Sequence, residues 1–109
     1  MATFFRNSII KDIGTVPILA VETNAGTNAT IIGMSLSNLT DFPVYASVLV
    51  NGNDSVNGYY LKDVMIPPNS SLKAVNGGEK LILAPENQLY VVADETESLD
   101  AVISYVDIV

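Results

Sequence analysis

The segment "ATIIGMSLSNL" at residues 29–39 carries the pattern that decides the fold class of this chain. Apolar side chains that recur at every second position are typical of an extended strand with one buried face. This alternation predicts that Ile32, Met34 and Leu36 share one face of a strand. The opposite face is predicted to carry Ile31, Gly33, Ser35 and Ser37.

Two further segments show the same period. In "PVYASVLVN" at residues 43–51, one face is predicted to carry Val44, Ala46, Val48 and Val50. In "AVISYVDIV" at residues 101–109, Ala101, Ile103 and Tyr105 are predicted to face one side, and Val102, Val106 and Ile108 the other. Because both faces of this last segment are mostly apolar, the strand is expected to be central in a sandwich or covered by a neighbouring subunit.

Turn residues separate the apolar segments. "NGNDSVNG" at residues 51–58 contains two Asn-Gly pairs, and both predict hairpin turns. "PPNSS" at residues 67–71 is expected to end the preceding strand, since proline cannot donate a ladder hydrogen bond. The spacing predicts an all-β fold: an antiparallel β-sandwich, jelly-roll or Ig-like, of eight or nine short strands in a single domain over residues 1–109.

The segment "EKLILAPENQLYVVAD" at residues 79–94 is predicted to form two adjacent strands joined by "APENQ". Pro85 would end the first strand, and Asn87 adopts turn conformations at low cost. Four side chains are then predicted to face one core: Leu81, Leu83, Leu89 and Val91.

Composition narrows the classes of function. The 109 residues are 49% hydrophobic, so part of the apolar surface is expected to lie in an interface. With 12 acids, five bases and a net charge of −7, nucleic acids and anionic membrane surfaces are not expected as partners. The chain has no cysteine and no histidine, which excludes the Ser-His-Asp triad, the Cys-His dyad and the usual zinc sites. An enzyme without these residues would have to use paired carboxylates, and a deep pocket for them is hard to build in so small a sandwich. We therefore expect a protein that is not an enzyme and holds no cofactor or metal.

The N-terminal segment "MATFFRNSIIKDIG" does not have the pattern of a signal peptide, because Arg6, Asn7, Lys11 and Asp12 interrupt its apolar run. No stretch approaches the roughly 18 apolar residues of a membrane-spanning helix. A soluble protein without a signal peptide is expected.

The order of strands and turns in two longer segments is similar to that of a known group of proteins. "TVPILAVETNAGTNATIIGMSLSNLTDFPVYASVLV" at residues 15–50 and "VMIPPNSSLKAVNGGEKLILAPENQLYVVADETESLDAVISYVDIV" at residues 64–109 carry it. The chain resembles small β-sandwich virion proteins of tailed phages, particularly contractile-tailed phages that infect cyanobacteria.

The resemblance implies a virion structural protein, made in the host cytoplasm, that decorates or stabilises the capsid. A neck, tail or fibre-associated part is the alternative. The expected partners are other copies of the chain and the major capsid or tail protein. The resemblance brings no catalytic residues.

Aromatic residues are the candidate interface positions. Phe4 and Phe5 could anchor an N-terminal arm on a neighbouring subunit or could cover the end of the sandwich. Tyr59 and Tyr60 follow the predicted hairpin, and whichever faces outward is the first interface candidate. Tyr105 completes the set. Aromatic rings beside amides also suit sugar rings, so a carbohydrate-binding module for host recognition is a further hypothesis.

The acidic segment "DETESLD" at residues 94–100 could bind calcium through Asp94, Glu95, Glu97 and Asp100. It lacks the spacing and the glycine of an EF-hand loop. A solvated turn before the last strand is the preferred interpretation.

Overall fold

The computed structural model describes residues 2–54, 56–75 and 79–109. Within these ranges the chain forms nine β-strands and no helix, which confirms the predicted all-β class. The strands are β1 (Thr3–Ile13), β2 (Ile18–Glu22), β3 (Asn28–Asn38), β4 (Val44–Asn51), β5 (Asn57–Ile66), β6 (Ser71–Val75), β7 (Leu81–Leu83), β8 (Gln88–Ala93) and β9 (Leu99–Ile108).

The strands form two antiparallel sheets. The five-stranded sheet has the order β1-β9-β3-β6, with β7 also paired to β3, and the four-stranded sheet has the order β2-β8-β4-β5. β6 pairs with the C-terminal half of β3 and β7 with its N-terminal half. These two short strands therefore share one position in the sheet.

The order of the strands identifies the topology. β1 pairs with β9, β2 with β8, β3 with β6 and β7, and β4 with β5, so that the chain is a long hairpin rolled into two sheets. Two sheets built from these nested pairs form a jelly roll. An Ig-like sandwich places its first and last strands in different sheets. Of the two sandwich types that the sequence left open, the structure therefore selects the jelly roll.

The hydrophobic core lies between the two sheets. The central strands β3, β4, β8 and β9 supply most of its fully buried side chains. In β9, Ala101 and Ile103 are buried while Val102 is 44% exposed, which confirms the predicted alternation. β9 lies between β1 and β3, as its two apolar faces led us to expect.

The predicted faces of β3 are partly wrong. Met34 and Leu36 are buried as expected, but Ile31 is also buried, and Ile32 is 37% exposed. Ile31 and Gly33 pair with two consecutive residues of β9, so that Ile32 is an extra residue in a bulge. A bulge shifts the alternation of side chains by one position. Period-two counting from Met34 back to Ile32 therefore assigned Ile32 to the wrong face.

The predicted pairing of "EKLIL" with "QLYVV" is also wrong. β7 pairs with β3 in one sheet, whereas β8 pairs with β2 and β4 in the other. The connection crosses the sandwich and is held by Thr23, whose hydroxyl donates to the carbonyl of Ala84 at 2.7 Å. The Thr23 hydroxyl also accepts from the amide of Asn87 at 2.9 Å.

The predicted core positions of this segment are nevertheless confirmed. Leu83, Leu89 and Val91 are fully buried, and Leu81 packs against the core. Strands in opposite sheets of a sandwich turn their inner faces towards the same core. A shared core therefore does not require paired strands.

One of the two predicted Asn-Gly turns is present. β4 and β5 form a hairpin closed by the Asn51–Asn57 pair, with the amide of Gly52 donating to the carbonyl of Val56 at 2.8 Å. Ser55, in the same loop, lies outside the described residues. The second predicted turn is wrong, because Gly58 lies within β5 opposite Val50.

The side chain of Asn38 joins three segments at one end of the sandwich. It is 3% exposed and lies at the end of β3. The two N–H groups of its Nδ2 are shared among the carbonyls of Phe42, Ile66 and Pro67, at 2.8, 3.0 and 3.2 Å. Its Oδ1 accepts from the amide and the hydroxyl of Thr40 at 2.8 and 2.7 Å. The buried amide therefore fixes the entry to β4 and the exit from β5 relative to β3.

Replacing Asn38 by alanine should lower the free energy of unfolding by about 3 kcal/mol, because carbonyls that are buried without a donor are costly. Asn38→Asp should also be destabilising, since its carboxylate cannot donate to those carbonyls. Urea denaturation measures both. Asn24→Ala, at an exposed asparagine, is the control and should change the stability by no more than about 0.5 kcal/mol. Equal stability of the Asn38→Ala and Asn24→Ala variants would show that the Asn38 amide is not a structural tie.

Candidate interaction surfaces

The described residues hold no group of three or more acidic side chains placed to share a metal ion. The described part of the chain also has no helix with the length and hydrophobicity to cross a membrane. The surfaces of the two sheets carry exposed large apolar and aromatic side chains.

The outer surface of the five-stranded sheet carries an apolar face. We define the outer apolar face by its large side chains: Phe5, Ile9, Ile32, Ile82, Val102 and Val106. Phe5 lies opposite Val106 and Ile9 opposite Val102, so β1 and β9 contribute two apolar cross-strand pairs. Small polar side chains such as Asn7 and Ser104 lie between these pairs.

Two shallow hollows flank Ile32 on this face. One is lined by residues including Val102, Ser104 and Lys73, and the other by residues including Phe5 and Ser104. Neither lining contains an acidic side chain, although the chain has a net charge of −7. The bulge in β3 turns Ile32 out of the core, and the Ile32 side chain thus lines both hollows on this face.

The four-stranded sheet has a different outer surface. Leu19, Tyr90, Leu49 and Tyr59 lie opposite one another on successive strands, and we call them the tyrosine row. A second pair on the same surface is formed by Tyr45 and Met65, both exposed. Aromatic and aliphatic residues in direct cross-strand contact stabilise a sheet and also present a rigid surface.

Three of the predicted interface residues lie on the surface. Phe5 is 80% exposed and belongs to the outer apolar face, and Tyr59 is 55% exposed at the end of the tyrosine row. Phe4 is exposed beside Arg6, whose guanidinium lies 5.4 Å from the centre of the Phe4 ring. Arg6 also donates to the carboxylate of Asp107 at 2.7 Å. Of the two tyrosines after the hairpin, Tyr59 is the one that faces outward.

The other two candidates, Tyr60 and Tyr105, are partly buried and pack against the core. The Tyr60 hydroxyl lies 3.5 Å from the carbonyl of Ala74 and 3.2 Å from the carboxylate of Glu79. Burial, together with the hydrogen bond and the charge of Glu79, raises the pKa of Tyr60 above its usual value. The structure does not bring the five candidates together, because Phe5 and Tyr59 lie on different sheets. Their role in an interface stays a prediction.

Sequence reasoning missed several members of these surfaces, including Ile9, Ile32, Leu19 and Tyr90. The alternation in β8 does carry a signal for Tyr90, since it lies between the buried Leu89 and Val91. Nothing in a single strand shows which residues of other strands lie beside it. The register between neighbouring strands brings together the residues of the outer apolar face and those of the tyrosine row.

Two of the four acids at residues 94–100 form hydrogen bonds within the molecule. The carboxylate of Asp94 accepts from the amide of Tyr45 at 2.9 Å. The carboxylate of Asp100 accepts from the amide of Asp12 at 3.0 Å and lies 3.4 Å from the ammonium of Lys11. Asp94 therefore connects this segment to β4, and Asp100 connects it to β1. These contacts favour the solvated-turn interpretation.

Excess EDTA should therefore leave the melting temperature of the purified protein unchanged, since no bound ion would be removed. Differential scanning calorimetry before and after the chelator measures this. A bound cation stabilises the folded state by mass action, so adding calcium afterwards is the complementary test. A fall with EDTA that calcium reverses would establish a metal site at residues 94–100.

Comparison with known proteins shows the fold class. No protein-family model and no curated protein matches the sequence. A chain of the T13 IBDV viral particle matches the structure with a TM-score of 0.51 and 11% identity, over 96% of this chain and 35% of that chain. The chain thus spans about a third of the length of that matched chain. At this identity the match shows a shared β fold alone and does not single out tailed phages.

Two further structures match less well. A chain of infectious bursal disease virus Gt strain has a TM-score of 0.40 and 12% identity, over 98% of this chain and 30% of that one. The VP2 subviral particle of the same virus has a TM-score of 0.31 and 11% identity, over 97% and 40%. These two scores are too low to support an argument.

Proposed function

We propose that this chain is a non-enzymatic structural protein of a virus particle that decorates or stabilises the capsid through repeated symmetric contacts. The observation that carries the proposal is the outer apolar face. The chain has a net charge of −7, but the outer surface of its five-stranded sheet exposes large apolar side chains with small polar residues between them. Extended exposed apolar patches mark interaction sites.

The expected binding free energy of such a face suits repeated contacts on a symmetric particle. Removing apolar surface from water contributes about 25 cal/mol per Å², so a contact that covers part of one sheet is of modest strength. Many such contacts acting together hold a protein firmly on a symmetric particle. The acidic charges of the remaining surface would keep particles apart in solution.

The fold supports the same proposal. Jelly rolls are common in viral capsid domains, and the T13 IBDV particle provides the match at a TM-score of 0.51. Fold alone does not imply function, so this support is secondary to the surface. The proposed partners are other copies of the chain and the major capsid protein.

The resemblance in the sequence supports a contractile-tailed phage as the particle. A place in the neck, tail or fibres is the alternative, with a tail protein as the partner. In either case the protein would be made in the host cytoplasm.

The decisive experiment is quantitative mass spectrometry of purified particles. A copy number close to that of the major capsid protein is expected for a decorating protein. A small multiple of the tail symmetry would assign the protein to the neck, tail or fibres. Absence from the particles would contradict the structural function.

A surface variant tests the outer apolar face in the same particles. Val102→Lys should lower the copy number more than about tenfold, because it would bury an unpaired charge in the contact. Val16→Lys is the matched control, since Val16 is exposed in the loop between β1 and β2, outside both sheet faces. Equal copy numbers for the two variants would show that the contact lies elsewhere.

The tyrosine row favours carbohydrate binding as a second candidate function. Aromatic faces in a row suit sugar rings, although the chain has no tryptophan. Glycan-array binding that Tyr59→Ala abolishes would support host recognition. An array with no bound glycan would remove this candidate.

A further inference from the structure

β1 is an edge strand with features that edge strands rarely have. Within the described residues it pairs only with β9. It is 11 residues long, and its register with β9 is continuous from Thr3 to Ile10 without a proline. An exposed, regular edge of this length is a template for another strand.

The other edges of the two sheets carry protective features. β2 has five residues, follows Pro17 and has a register shift. β5 has two register shifts and carries Lys62 and Asp63. β6 and β7 have five and three residues. Short strands, bulges, charges and proline all discourage pairing between molecules. β1 also has a register shift, between Ile10 and Ile13, and three charged residues, but its stretch from Thr3 to Ile10 is the longest regular, proline-free edge among the described strands.

The hydrogen bonds identify which groups of β1 face outward. Ala2 and Val109 exchange both backbone hydrogen bonds, at 3.1 and 2.9 Å. Hydrogen-bonded and non-hydrogen-bonded pairs alternate along an antiparallel ladder. Thr3, Phe5, Asn7 and Ile9 therefore direct their backbone amides and carbonyls away from β9, towards the open edge. All four residues are exposed.

We propose that β1 pairs antiparallel with β1 of a second copy of this chain, across a twofold axis at Asn7. Asn7 then lies opposite Asn7 of the second copy, and Phe5 lies opposite Ile9 in both directions. Pairs centred on these positions form about six backbone hydrogen bonds. The two five-stranded sheets become one continuous sheet.

Side chains select this register. Phe5 is 80% and Ile9 is 63% exposed, and the arrangement places them in apolar cross-strand pairs. Moving the axis by one residue keeps the outward groups paired but sets Phe5 opposite Asn7 or Lys11. The proposed register also joins the outer apolar faces of the two copies.

Charge favours a second copy at this edge. The chain has 12 acids and a net charge of −7, but the two bases of β1, Arg6 and Lys11, each pair with an acid of β9, which leaves the charge at this edge close to neutral. Two acidic molecules that meet at β1 therefore avoid much of their mutual repulsion. The same strand supplies both sides of the contact, as a twofold interface requires.

This inference rests on the proposed function, because the β1 pairing is the contact that would join copies of the chain in the assembly. Its test uses the purified protein alone. A dimer that forms although the chain is absent from particles would overturn the virion function and leave this contact standing. A chain found in particles without this dimer would do the reverse.

Cysteine cross-linking tests the register, because the chain has no cysteine of its own. In a hydrogen-bonded pair the Cα atoms are about 5.5 Å apart, within the range of a disulfide. Asn7→Cys should give mostly disulfide-linked dimer on mild oxidation, as seen on a non-reducing gel. Ile9→Cys is the control: its two thiols would be about 13 Å apart along the strand, and little dimer is expected.

The double variant Phe5→Cys/Ile9→Cys should recover the cross-linking, because the two positions lie opposite each other in the proposed dimer. Circular dichroism confirms that each variant is folded. No dimer from either Asn7→Cys or the double variant would overturn the proposal. Equal dimer from Asn7→Cys and Ile9→Cys would also overturn it, since random collision gives that result.

Discussion

The pairing of β9 with both β1 and β3 is the constraint on which the rest of the structure depends. It brings the last strand between the first and the third, and this closure makes the rolled hairpin a jelly roll. It buries Ala101 and Ile103 in the core and turns Val102 and Val106 outward. The same pairing occupies one side of β1 and leaves its other side open. One set of backbone hydrogen bonds thus defines the core, the outer apolar face and the proposed dimer edge.

Four polar side chains hold connections between strands in place. Asn38 holds two connections at one end of the sandwich, and Thr23 holds the connection between β7 and β8. Asp94 and Asp100 accept backbone amides from β4 and from the end of β1. Buried polar groups that are fully hydrogen-bonded specify one arrangement of the chain.

Much of the fold follows from local patterns, and the predictions failed where the outcome depends on pairing with a distant strand. The alternation in β4 and β9 was right because neither strand has an extra residue on its inner side there. The alternation in β3 failed at Ile32, because a bulge depends on the register with β9 and has no reliable signature in one strand. The pairing of β7 with β8 failed because closeness in sequence does not decide whether a turn stays in one sheet or crosses to the other. The same limit applies to the candidate surfaces: Phe5 and Tyr59 were among the aromatic candidates, but the sequence left open whether Tyr59 or Tyr60 faces outward and did not indicate their neighbours Ile9 and Tyr90.

The sequence by itself determined the all-β class, the lack of histidine and cysteine chemistry, the acidic charge and most of the core positions. These depend on residue type and on the period of side chains along one strand, which a sequence displays directly. The tertiary structure alone decided the jelly-roll order, the outer apolar face, the tyrosine row and the open edge of β1. Each of these needs residues that are distant in sequence to meet in one register, and the free energy that selects a register comes from the whole sandwich.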